Sequence, residues 1–181
     1  MIKDFSVTPK PKNNNAKLLM CLFFALSLLS LLATLFMSKY KGVVGMVTLA
    51  FLTTAILVYT KYVAVTFHYD IIGEDVDEPL FVVRQTVGKR NVTLCRIALA
   101  NINSVIKETK AERRARRSPD GVVRYSYMPT LSPSENFRIS VSSRYEKAEL
   151  TVEISEEFSE MLISLVKEAK AMRISEEDEE D

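Results

Sequence analysis

Residues 18–37 and 43–60 are two apolar runs without a single Asp, Glu, Lys, Arg or His, separated only by Ser38, Lys39, Tyr40, Lys41 and Gly42. At a helical rise of about 1.5 Å per residue, each run comes close to the roughly 20 residues that cross a bilayer's hydrocarbon core. The pattern predicts a transmembrane helical hairpin, with the rest of the chain tethered to one membrane face. A secretory signal is a poorer reading of the first run. Signal h-regions span about 7–15 residues and end at a small-residue cleavage site. This run is longer and ends in Leu35, Phe36, Met37, Ser38, Lys39 and Tyr40.

Lysine counts near the span ends set the expected orientation. Lys3, Lys10, Lys12 and Lys17 precede the hairpin and Lys61 follows it, against Lys39 and Lys41 in the turn. Both termini are therefore expected in the cytoplasm. Tyr40, Tyr59 and Tyr62 suit interfacial positions. Small residues recur on both spans, Ala25, Ser27, Ser30, Ala33 and Thr34 on the first and Gly45, Thr48, Ala50, Thr53 and Ala55 on the second, a composition that lets helices pack closely. With no ionisable group in either span, an anchor is expected rather than an ion or proton pathway.

The 181 residues leave room for one small domain beyond the hairpin, and the net charge of +1 conceals strong segregation. A basic tail over 1–17 and a basic run over 112–117 contrast with the wholly acidic 176–181. Residues 174–181 are expected to form a disordered, solvating tail. Cys21 lies in the first span and Cys95 beyond the hairpin, which argues against a mutual disulfide, and no Cys/His spacing suits a metal.

After Lys61 the apolar period changes to that of strands. Residues 63–72 and 80–87 read as a hairpin across an acidic turn, and 92–97 as a third strand following a turn at Gly88, Lys89, Arg90 and Asn91. A short turn then leads into a strand around 104–108. Val123, Tyr125 and Tyr127 alternate with Arg124 and Ser126, and over 137–145 Phe137, Ile139, Val141, Ser143 and Tyr145 alternate with Arg138, Ser140, Ser142 and Arg144. Leu150, Val152 and Ile154 point inward, with Glu149, Thr151 and Glu153 outward. Ser155 is placed to cap a helix bearing Phe158, Met161, Leu162, Leu165, Val166, Ala169 and Met172 as an apolar stripe.

The fold class is therefore α+β: a two-helix hairpin, then about seven antiparallel strands and one amphipathic helix over 61–173. That element order, together with Arg96-Ile97-Ala98-Leu99-Ala100-Asn101-Ile102-Asn103-Ser104-Val105, resembles the bacterial PH-like (pleckstrin-homology-like) domain family. Many members of that family sit behind paired transmembrane helices. The resemblance implies a bent β-sandwich plugged at one end by its C-terminal helix. Eukaryotic pleckstrin-homology domains hold inositol phosphates with basic residues around the loop joining the first two strands. Here that turn carries Glu74, Asp75, Asp77 and Glu78, which would repel a phosphorylated headgroup.

The sharpest local feature beyond the hairpin is Arg113, Arg114, Arg116 and Arg117, four arginines in five positions. Such a run suits anionic lipid headgroups, a protein partner or simple solvation. Nucleic acid is the least favoured, because a tethered domain meets the bilayer first. The acidic tail is a further candidate to contact these arginines. The single histidine, His68, has no motif-marked nucleophile beside it, and the five glycines form no phosphate-cradling pattern. No catalytic residue, cofactor or metal is expected. The expected function is a membrane-anchored, non-enzymatic adaptor facing a membrane-associated protein partner. Lipid sensing through the arginines is the alternative, and an accessory subunit of a membrane enzyme or transporter comes third.

Overall fold

The computed structural model describes residues 4–9, 15–36, 38–73, 78–116, 121–131, 133, 135–142 and 147–180. The chain divides into two units, Pro11–Val65 and the combination of Met1–Lys10 with Thr66–Asp181.

The first unit is a helical hairpin. Helix α1 (Asn15–Phe36) and helix α2 (Lys41–Val58) are joined through a 3-10 turn at Ser38–Tyr40. Helix α2 continues into a π-helical turn, Tyr59–Val63, where Ala64 N donates to Tyr59 O at 2.9 Å. The helical segments Asn15–Phe36 and Lys41–Val63 have mean hydropathies of 2.5 and 2.0 and are long and apolar enough to cross a membrane. Their packing is inside-out by the standard of a soluble pair. Leu28, Leu29 and Leu35 of α1 and Met46, Leu49 and Leu57 of α2 are each more than half exposed, whereas Ser27 and Ala55 are buried. Thr48 Oγ1 lies 2.9 Å from both Ser30 Oγ and Val44 O, and Phe23 meets Phe51 at 6.2 Å between ring centroids. Small and hydroxylated side chains thus form the seam, as the sequence led us to expect, and leucines face outward.

The second unit is built from both flanks of the hairpin. Strands β1 (Phe5–Val7), β2 (Val65–Ile72), β3 (Leu80–Val87) and β4 (Arg90–Ala98) form one sheet in that order. The second sheet comprises β5 (Ile102–Thr109), β6 (Val122–Tyr127), β7 (Glu135–Ser142) and β8 (Lys147–Val152), in the order β5-β7-β8-β6. A short helix, α3 (Lys110–Ala115), joins β5 to β6, and α4 (Glu156–Glu180) follows β8.

The alternation seen in the sequence sorts the faces. Tyr69, Ile71, Phe81 and Val83 from the first sheet, and Ile139, Leu150 and Val152 from the second, are at most 2% exposed. Tyr69 ties the two sheets together: its hydroxyl donates to Tyr127 O at 2.5 Å and accepts from Glu153 N at 3.3 Å. Burial is the main cause raising the Tyr69 phenol above its ordinary value. Ser155 caps α4 as expected, accepting from Phe158 N at 3.2 Å. Phe158, Leu162, Val166 and Ala169, spaced four, four and three residues apart, bury the helix's apolar stripe.

Among the described residues, seven strands and two helices, α3 and α4, follow the hairpin and bear out the α+β class, but several expectations need correction, beginning with the unexpected α3. The strands are not all antiparallel, because β6 pairs with β8 in parallel, from Val122↔Lys147 to Tyr127↔Val152. The basic tail over 1–17 contains a strand: Phe5↔Ile71, Ser6↔Asp70 and Val7↔Tyr69 pair antiparallel. Glu149 and Thr151, expected to face water, are each 7% exposed. Helix α4 continues to Glu180, through most of the stretch expected as an unstructured tail. That stretch lacks Gly and Pro, and Glu is a good helix former.

Candidate functional site

The connection from β5 to β6 decides what the arginine run can do. In the second sheet β7 and β8 lie between these two strands, so the chain must cross from one edge to the other. Helix α3 starts that crossing on a reciprocal cap. Thr109 Oγ1 accepts from Glu112 N at 3.3 Å, and Glu112 Oε2 accepts from Thr109 N at 2.7 Å. The cap fixes which way the following arginines project.

Two of them project onto the sheet. Arg113 Nη1 donates to Asn136 Oδ1 at 2.9 Å, and Asn136 is 1% exposed. Arg116 Nη1 pairs with Glu108 Oε1 at 3.0 Å and approaches Glu149 Oε2 at 3.5 Å. Glu108 is on β5 and Glu149 on β8, so Arg116 reaches over the intervening β7. Arg138 of β7 contacts both carboxylates at 3.1 Å, and Arg124 of β6 meets Glu149 at 3.1 Å. Three guanidiniums and two carboxylates from four strands and the crossing segment thus form one network. Arg124, Arg138 and Glu149 are among the polar residues that the alternation set opposite the apolar ones. Arg113 and Arg116, from the described start of the crossing, reach side chains on that face.

The network's electrostatics follow from this geometry. Burial raises the Glu149 carboxyl, but Arg116, Arg138 and Arg124 together outweigh it and leave the group below the ordinary carboxylate range. Glu108 Oε2, Arg116 Nε and Asn136 Nδ2 are buried without a hydrogen-bond partner among the described residues. Of the four arginines singled out in the sequence, Arg113 and Arg116 are engaged in this interior, Arg114 is exposed on α3, and Arg117 lies outside the described residues. Glu74, Asp75 and Asp77 of the acidic turn also lie outside them.

The remaining candidates acquire ordinary partners. His68 Nδ1 lies 2.7 Å from Thr8 Oγ1. Burial raises the Cys95 thiol above its usual value, which leaves it a poor nucleophile. Tyr127 beside it is pushed up to about 12, chiefly by burial. No group of three metal-ligating side chains occurs among the described residues.

Exposed apolar side chains cluster on edge strands. On β4, Val92 is 51% exposed; on β6, Val123 and Tyr125 are 43% and 41% exposed. Tyr125 stacks on Tyr127 with centroids 6.1 Å apart. These two strands close opposite sheets and offer backbone hydrogen-bonding groups at free edges. The orders β1-β2-β3-β4 and β5-β7-β8-β6 identify these strands as edges, which alternation alone does not. The sequence matches no family model and no curated protein.

Proposed function

We propose that the chain is a membrane-anchored, non-enzymatic adaptor that presents a PH-like domain to a protein partner on the cytoplasmic face. The internal engagement of Arg113 and Arg116 carries this reading. A basic loop free to meet lipid headgroups would hold its guanidiniums in solvent, whereas these two are committed to Asn136, Glu108 and Glu149. The free surface that remains is of the kind proteins use for partner strands: edges bearing Val92, Val123 and Tyr125.

Two further observations support the placement. Within the two candidate spans, residues 18–36 and 42–60 contain no Asp, Glu, Lys, Arg or His, which suits an anchor rather than a conduit. The second unit draws β1 from before the hairpin and the other strands from after it, and so needs both flanks on one side of a bilayer. The lysine balance supports the cytoplasm as that side. Two sheets and a helix following the last strand support the PH-like reading, in a variant whose β6 runs parallel to β8.

Photo-crosslinking in native membranes tests the adaptor. A benzophenone side chain at Val92 or Val123 is expected to trap a discrete protein, with a control at exposed Glu160 giving no such product. Lipid adducts alone at both edge positions would overturn the adaptor reading and favour headgroup contact through Arg114, which vesicles with and without phosphatidylserine would then check.

A further inference from the structure

The segment before the hairpin docks through every residue from Asp4 to Thr8, and it does so by alternation. The even positions bind polar groups along one side. Asp4 Oδ1 accepts from Gly73 N at 2.8 Å, the Ser6 hydroxyl bonds the Asp70 carboxylate, and Thr8 Oγ1 meets His68 Nδ1 at 2.7 Å. The odd positions lie on the side of the buried core. The Phe5 ring lies 5.9 Å from that of Phe158 on α4, and Val7 pairs with the fully buried Tyr69. The β2 edge and the start of α4 therefore receive an extended segment in alternation.

The occupant is held by little. Strand β1 pairs three residues against an eight-residue β2, and Phe5 remains 44% exposed while it covers Phe158, itself 3% exposed. Short edge elements with few buried contacts open at the low end of a protein's free-energy scale. A longer strand from elsewhere, with the same alternation, would make the same contacts and add backbone bonds along 65–68 of β2, beyond the three-residue ladder.

We propose that the β2 edge beside α4 is an acceptor groove for an extended segment of the adaptor's protein partner, and that β1 is its tethered internal competitor. The partner segment carries hydrogen-bonding side chains at alternate positions, with an aromatic and a β-branched residue between them, as in Asp4-Phe5-Ser6-Val7-Thr8. This rests on the adaptor reading and names a docking site for it. Release of β1 frees the groove, so the device both recognises and regulates.

The probe is a fluorescent peptide with the sequence of residues 2–9, titrated onto the full chain and onto a form lacking residues 1–9, both in detergent micelles. The shortened form is expected to bind saturably. The full chain should bind at least about tenfold more weakly, because its own strand competes at high effective concentration. A peptide carrying F5A and V7A should lose at least about tenfold on the shortened form. Equal binding by both proteins, or no binding by a shortened form that keeps its cooperative thermal transition, overturns the proposal. So does a dimer held by mutually exchanged β1 strands, which would make a second copy the occupant. Hydrogen exchange on the unmodified chain does not depend on the deletion folding. Amides of Phe5–Val7 are expected to exchange at least tenfold faster than those of 81–83 in β3, and equal protection would overturn exchangeability. A failed peptide titration beside a successful edge-strand crosslink would remove the groove and leave the adaptor standing.

Discussion

Arg114 and Arg116 differ by two positions and have opposite fates. One is exposed on α3, and the other is 15% exposed between Glu108 and Glu149. Removing one member of a buried ion network strands its partners, at a cost of about 3 kcal/mol or more. Exposed substitutions away from such features stay within about 0.5 kcal/mol. Urea unfolding of the full chain in micelles should therefore separate Arg116→Ala, destabilised by about 3 kcal/mol, from Arg114→Ala, nearly unchanged. Glu149 adds a pH dependence of fixed sign. Its folded-state carboxyl titrates below the reference value of 4.5, so its stabilising contribution is fully present above that value and is lost as pH falls through the lower folded one. Acid unfolding followed by tyrosine fluorescence should show stability falling below about pH 4.5. Glu149→Gln should flatten that limb.

Among the elements, α3 shows how a local signal serves a distant purpose. Its capping box orients the crossing segment, and the crossing segment covers a polar sheet face. Thr109→Ala removes the cap and is expected to cost about 1 kcal/mol. It should also weaken the Arg116 contacts, so a double-mutant cycle with Arg116→Ala should be non-additive by at least about 0.5 kcal/mol. The period-2 pattern made most strands legible, β3 to the residue at both ends, and the apolar steps from Phe158 to Ala169 marked the buried stripe of α4. Two features, the covering of a sheet face and the strand β1, escaped for physical reasons. Alternation reports which face of a strand is polar, and cannot report that a later segment crosses and buries that face; Glu149 and Asn136 were lost in this way. Strand β1 carries its own alternation in Asp4, Phe5, Ser6, Val7 and Thr8, but three paired residues are too few to stand out, and their partner lies some 65 positions away across the hairpin. The arginine run was legible as a charge cluster. Its division between interior and solvent was not, because that depends on the direction in which the cap launches the chain.

At the scale of the whole molecule, two apolar helices join a domain assembled from both of their flanks. The helices carry leucine outward and serine and threonine inward, the distribution expected of a pair that meets lipid. Pairing between β1 and β2 places residues 5–7 and 69–71 in one sheet, a constraint on topology independent of counting lysines. The most direct measurement is cysteine accessibility in intact cells. The native Cys21 and Cys95 are first replaced, and a single cysteine is introduced at Pro9, Gly42 or Glu160. A membrane-impermeant thiol reagent is expected to label position 42 in intact cells, and positions 9 and 160 only after the membrane is opened. Labelling that separates position 9 from position 160 would contradict the account, because one sheet cannot draw strands from both sides of a bilayer.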